Sequence, residues 1–101
     1  MHARVSTFEG QIEDVEGMVA FARTTLLPQA RGLAGWRGFL DLVDPANGKE
    51  ILVTLWDSEE HLLASEERAA AIRSQGSEHS RVAPVAVGHY EVALGEVAFG
   101  S

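Results

Sequence analysis

The chain has 101 residues, 46% of them hydrophobic and 23% charged, the proportions of a folded domain large enough to bury a core without covalent staples. It contains no cysteine, which excludes a disulfide framework and thiolate chemistry. A formal net charge of −7 repels phosphate backbones and anionic headgroups, so no nucleic acid and no membrane surface is expected as a partner. The N-terminus lacks an apolar run of signal-peptide length and no segment reaches bilayer length, so one cytoplasmic domain over residues 1–101 is expected.

Residues 3–9 alternate, with Ala3, Val5 and Thr7 on one side and Arg4, Ser6 and Phe8 on the other, and they predict a first strand stopped by Gly10. From Gln11 the period changes. Ile12, Val15, Val19, Ala22 and Leu26 define one helix face, which Met18, Phe21 and Thr25 widen. Glu13, Asp14 and Glu16 suit the positive end of that helix. Pro28 has no N–H to donate, so it must fall in a loosened last turn or a kink.

Two β-rich runs, at 36–43 and 50–56, flank the reversal DPANGK and predict a hairpin. Ser58 is a suitable N-cap for a second helix over 58–75 that ends at Gly76-Ser77. Its expected inner face is Leu62, Ser65, Ala69 and Ile72, with Leu63 and Ala70 beside it. A fourth strand follows at 84–94, with residues 95–101 extending it or fraying. The order is β-α-β-β-α-β, the α+β, ferredoxin-like arrangement with a four-stranded antiparallel sheet.

Both rows of these strands are largely apolar. Ile51, Val53 and Leu55 oppose Leu52, Thr54 and Trp56; Trp36, Leu40 and Leu42 oppose Phe39 and Val43; Val85 and Val87 oppose Ala86, Tyr90, Val92 and Leu94. Two helices cover only one face of such a sheet. The other would leave an apolar area larger than a monomer usually exposes, so a homodimer is expected, sheet face to sheet face.

The stretch GWRGFLDLVDPANGKEILVTLWDSEEHLLAS resembles the middle of the dimeric α/β-barrel proteins of the antibiotic biosynthesis monooxygenase-like superfamily. Gly35-Trp36-Arg37-Gly38 and Trp56-Asp57-Ser58-Glu59-Glu60 carry the likeness. The opening ARVSTFEG is similar to that of small uncharacterised actinobacterial-type members. The resemblance implies a dimeric barrel and, as activity, cofactor-independent oxygenation of a small aromatic or hydrophobic metabolite. Haem-degrading members use an asparagine on the first strand and a tryptophan and histidine on the second helix. This chain has Ser6 and Thr7 near the first position, no tryptophan on the second helix, and His61 too close to that helix's start.

For the chemistry, Trp36, Phe39, Trp56 and His61 are the candidate ligand-pocket residues, and His61 and Tyr90 the candidate catalytic groups. Trp56 either stacks on an aromatic ligand or anchors the second helix to the strand end, and the anchor reading is preferred. Trp36 and Phe39 fall on opposite strand faces, so only one of them can line a given cavity. His61, four residues after Asp57, could move a proton if it turned inward, but an exposed helix histidine is the commoner outcome. His89 and Tyr90 point to opposite faces. His2 and His79 are expected in mobile segments, and Arg37 in a salt bridge or solvated rim. No metal-ligand spacing, nucleophile elbow or phosphate loop is present, so no metal and no cofactor is expected. The alternative to an enzyme is a non-catalytic dimer that binds a small hydrophobic ligand or has an interaction role.

Overall fold

The computed structural model describes residues 1–99. Strands β1 (His2–Gly10), β2 (Trp36–Asp44), β3 (Lys49–Trp56) and β4 (Val82–Glu91) form one sheet in the order β2-β3-β1-β4, and every neighbouring pair is antiparallel. Helices α1 (Val15–Phe21), α2 (Leu27–Arg31), α3 (Glu59–Ala64) and α4 (Glu66–Ser80) fill the two crossovers. The expected ferredoxin-like α+β fold is the fold observed.

The first crossover begins later than its periodicity suggests. Asp14 caps α1 by accepting from the Gly17 N–H at 2.9 Å, which leaves Ile12 outside the helix. The buried face is Met18, Ala22 and Ala30, whereas Val19 is exposed. Pro28 is accommodated as its chemistry requires: the turn before it, Ala22–Leu26, is wound as a π-helix, and the helix then resumes as α2.

The second crossover begins as expected and departs from expectation at its far end. Ser58 caps α3 by accepting from the His61 N–H at 3.1 Å. The helix does not stop at Gly76-Ser77; α4 runs on to Ser80 and ends at Arg81 in the left-handed conformation, φ 57°. Gly76 is there because a Cβ at that position would lie 3.1 Å from Leu26 Cδ1, so it permits a close helix approach. Leu62, Ser65 and Ala69 are buried as expected, but Leu63 and Ala70 face solvent. Because the single left-handed residue Arg81 makes the whole turn, β4 starts at Val82 rather than 84, and it ends at Glu91 rather than 94. Residues 95–99 do not extend it; the rest of the predicted tail, 100 and 101, lies outside the described residues.

Pairing settles which rows share a face. Arg4 lies opposite Thr54 and His89, Ser6 opposite Leu52 and Val87, and Phe8 opposite Glu50. This row faces the helices, and Arg4, Ser6 and Phe8 are 2–3% exposed. Val5, paired with Val53, belongs to the other face with Leu40, Leu42, Ile51, Leu55 and Tyr90. None of the described helices covers that face, and Leu42 and Tyr90 are 50% and 58% exposed.

Candidate functional site

Between the helices and the inner sheet face lies a cavity of about 70 Å³, room for several waters and smaller than the roughly 300–1,000 Å³ of sites for drug-sized ligands. Its walls are chiefly apolar, with Phe8, Phe39, Leu52 and Trp56 from the sheet and Met18, Phe21, Leu26 and Ile72 from the helices. Into it the strands also place Arg4, Ser6, Asp41, Glu50 and Thr54.

Arg4 organises one end. Its Nε and Nη2 donate to Glu66 Oε2 at 3.0 and 2.7 Å, and Nη2 also reaches the Leu62 carbonyl at 2.8 Å and Ser65 Oγ at 3.1 Å. The guanidinium lies 5.5 Å from the centre of the Trp56 ring, within cation–π range. Nη1 is buried and has no hydrogen-bond partner among the described residues. Burial pulls the Arg4 pKa down from its usual value, while Glu66 opposes the shift. Burial would raise Glu66, but hydrogen bonds and charge from Arg4 and Arg73 outweigh it and hold this carboxyl below its usual range. His89 Nε2 joins the same carboxylate at 3.1 Å.

Trp56 is 1% exposed, and its indole N–H donates to Thr54 Oγ1 at 3.0 Å. It is therefore both an anchor in the core and a wall of the cavity. The far end holds two carboxyl groups. On the β2–β3 ladder Asp41 opposes Leu52 and Val43 opposes Glu50, so the two acids are diagonal neighbours on one face. Glu50 is 7% exposed. Burial, a hydrogen bond with Asp41 and the Asp41 charge push its pKa up to about 8. Burial also raises Asp41, although the hydrogen bond with Glu50 partly offsets that.

The structure divides the residues singled out from sequence. Phe39 and Trp56 line the cavity and Trp36 does not; simple alternation is not the reason, because a register shift between Trp36 and Gly38 sets Trp36 opposite Trp56 while Phe39 lies opposite Thr54, two positions of one β3 row. Trp36 is half-buried beside Trp56 across a register shift, with its indole N–H buried and unpartnered among the described residues. His61 lies outside the cavity. Its Nδ1 meets Asp57 Oδ1 at 2.6 Å at a partly exposed corner, where Arg37 also reaches Asp57 at 3.5 Å. The hydrogen bond with His61 is the main influence holding Asp57 below the usual carboxylate range. Tyr90 is on the opposite, open face. His2 and His79 are not in mobile segments: His2 belongs to β1, and His79 stacks on Phe21 at 3.9 Å. Arg4, Asp41 and Glu50 were not recognisable as site residues from sequence. The available signal was a charged residue on each of three strand rows that the helices cover.

The fold is the one seen in solved antibiotic biosynthesis monooxygenase-like proteins, so the resemblance in the sequence holds at the level of fold. A monooxygenase of Streptomyces coelicolor solved with Nanaomycin D superimposes with a TM-score of 0.68 at 15% identity, covering 98% of this chain and 92% of that one. A heme-degrader of Mycobacterium tuberculosis solved with two hemes bound gives 0.61 at 19% identity, covering 96% and 100%. In sequence, an uncharacterized protein of M. tuberculosis is 31% identical over 93 residues, 92% of this chain but 41% of its own length. This chain thus spans less than half the length of the curated relatives it matches. No family model matches it.

Proposed function

We propose that residues 1–101 act as one domain that pairs into a homodimeric α/β barrel and takes a small aromatic or hydrophobic metabolite into the helix–sheet cavity, as a cofactor-independent monooxygenase-like enzyme. One observation carries this reading: an apolar, aromatic-walled cavity contains a fully buried arginine with an unused N–H. Such a donor suits a ligand oxygen, and the surrounding rings suit an aromatic body. The reaction would draw its electrons from the ligand ring itself, with the protein excluding water and moving a proton. That the S. coelicolor neighbour was solved with Nanaomycin D supports a ligand-binding role for this fold. An occupant larger than the present cavity requires α1 to move outward, and the π-helical turn beside it is a natural place for that motion.

Pairing is supported by the uncovered apolar face of the sheet. The M. tuberculosis relative supports it too, because more than half of that chain lies outside the match, enough for a second unit of this size.

The second reading, a non-catalytic ligand-binding dimer, is favoured by the placement of His61 and Tyr90 outside the cavity. The test uses Trp36→Phe, so that Trp56 alone reports, titrated with 1-naphthol while oxygen uptake is followed on an electrode. Quenching with uptake is the expected result. Quenching without uptake selects the binding protein, and no quenching sinks both.

A further inference from the structure

Buried polar groups are nearly always paired, so a cluster of them that is not calls for an explanation. Five buried side-chain N or O atoms have no hydrogen-bond partner among the described residues. Three of the five, Arg4 Nη1, Arg73 Nη1 and Asp41 Oδ1, belong to residues that line the helix–sheet cavity.

The two donors stand at one end. Arg4 Nη2 and Arg73 Nη2 hold the two oxygens of the Glu66 carboxylate at 2.7 and 3.2 Å, and His89 Nε2 adds a third contact at 3.1 Å. One carboxylate thus serves two guanidiniums, which leaves positive charge in excess there. Burial is the main influence lowering the Arg4 pKa, and the Arg73 charge lowers it further against the pull of Glu66. The acceptor stands elsewhere. Asp41 lies opposite Leu52, which lies opposite Ser6 on the row of Arg4. Arg4 and Asp41 are therefore two strands across and two residues along, with their Cα atoms about 12 Å apart. The hydrogen bond between Asp41 and Glu50 stays within that pair and does not use Asp41 Oδ1.

We propose that this cavity selects a single-ring hydroxyaryl carboxylate, its carboxylate taken by Arg4 Nη1 and Arg73 Nη1 and its phenolic hydroxyl donating to Asp41 Oδ1. This rests on the proposed ligand site and names the class of molecule it takes. An aromatic carboxylate without the hydroxyl leaves Asp41 Oδ1 unanswered, and a neutral phenol leaves the excess positive charge. The volume of about 70 Å³ favours one ring over several, and Phe8, Phe39 and Trp56 suit its faces.

Four ligands separate the two contacts, each titrated into the protein by calorimetry at pH 7. The first, 4-hydroxybenzoate, carries both groups; 4-methoxybenzoate lacks the donor, methyl 4-hydroxybenzoate lacks the charge, and 4-methylanisole lacks both. The wild type should bind 4-hydroxybenzoate about tenfold more tightly than either partial match. Arg73→Met should erase the preference for carboxylate over ester and keep that for hydroxyl over methoxyl. Asp41→Leu should do the reverse. If either variant fails to fold, the order of affinities in the wild type decides. A uniform loss across the four ligands in Arg73→Met marks a residue that only braces Glu66, and overturns the anion contact. Equal binding of all four by the wild type overturns the proposal and leaves the ligand site standing. Binding of none removes the site and the proposal together.

Discussion

Arg4 shows how one residue joins stability to the site. It is buried on the helix side of the sheet, where a guanidinium is tolerated only because Glu66, Ser65 and the Leu62 carbonyl receive most of its donors. Arg4→Ala should cost about 3 kcal/mol in urea unfolding. Arg4→Lys should recover only part of that, since one ammonium cannot replace the planar fork. The carboxyls give opposite pH signatures. Glu66 has a depressed folded pKa, so its contribution is present above the unfolded value of 4.5 and is lost as pH falls through the folded value. Glu50 has a raised one, so the folded state holds an extra proton between 4.5 and about 8 and stability declines as pH rises across that window. Glu50→Gln should therefore be more stable than wild type at pH 8, by roughly 1–4 kcal/mol, and nearly equal to it at pH 4. Unfolding midpoints at the two pH values check the sign.

At the level of elements, the turn into β2 explains the first glycine of the Gly35-Trp36-Arg37-Gly38 segment. Gly35 has φ +82°, and a Cβ there would stand 2.5 Å from the Cβ of His61. Its carbonyl also accepts from the Asp57 N–H at 2.8 Å, which ties the start of β2 to the corner between β3 and α3. Gly35→Ala combines backbone strain with a clash against a helix, and should destabilise by about 2 kcal/mol or more. It should also loosen the Asp57–His61 contact, visible as a shift of the His61 ring resonances. The Asp57–His61–Arg37 cluster is thus a fastening between elements. The same logic governs Gly76, which the chain uses to bring α4 against Leu26 and not to stop the helix.

For the whole molecule, the asymmetry of the sheet is the dominant fact. One face carries the helices, the cavity and the buried polar groups; the other presents Val5, Val53, Leu55 and Leu42 with no cover from the chain's own helices. Val53 sits on the interior strand β3, paired with Val5 on β1. Val53→Asp places a carboxylate in the middle of the open face. It should leave a folded subunit of 10.9 kDa in sedimentation where the wild type is expected to run as a dimer. The proposed pairing would bring together two chains of net charge −7, so a dimer should tighten with added salt as that repulsion is screened. A wild type that stays monomeric at micromolar concentration and high salt would refute the pairing.

Local chemistry by itself determined the element order, the Ser58 cap, the loosened turn before Pro28 and the excess of apolar strand surface, because each depends on residues close in sequence. Tertiary structure decided the remainder. Alternation on β1 separates Arg4, Ser6 and Phe8 from Ala3, Val5 and Thr7, but the period is the same whichever row is inside, and the more polar row proved to be the one the helices cover. Asp41 and Glu50 are nine residues apart in sequence, and only the hairpin register makes them neighbours. The unused N–H of Arg4 and the continuation of α4 through Gly76 likewise depend on partners from distant segments. A site made of groups that meet only after strands pair leaves no spacing in the sequence from which to read it.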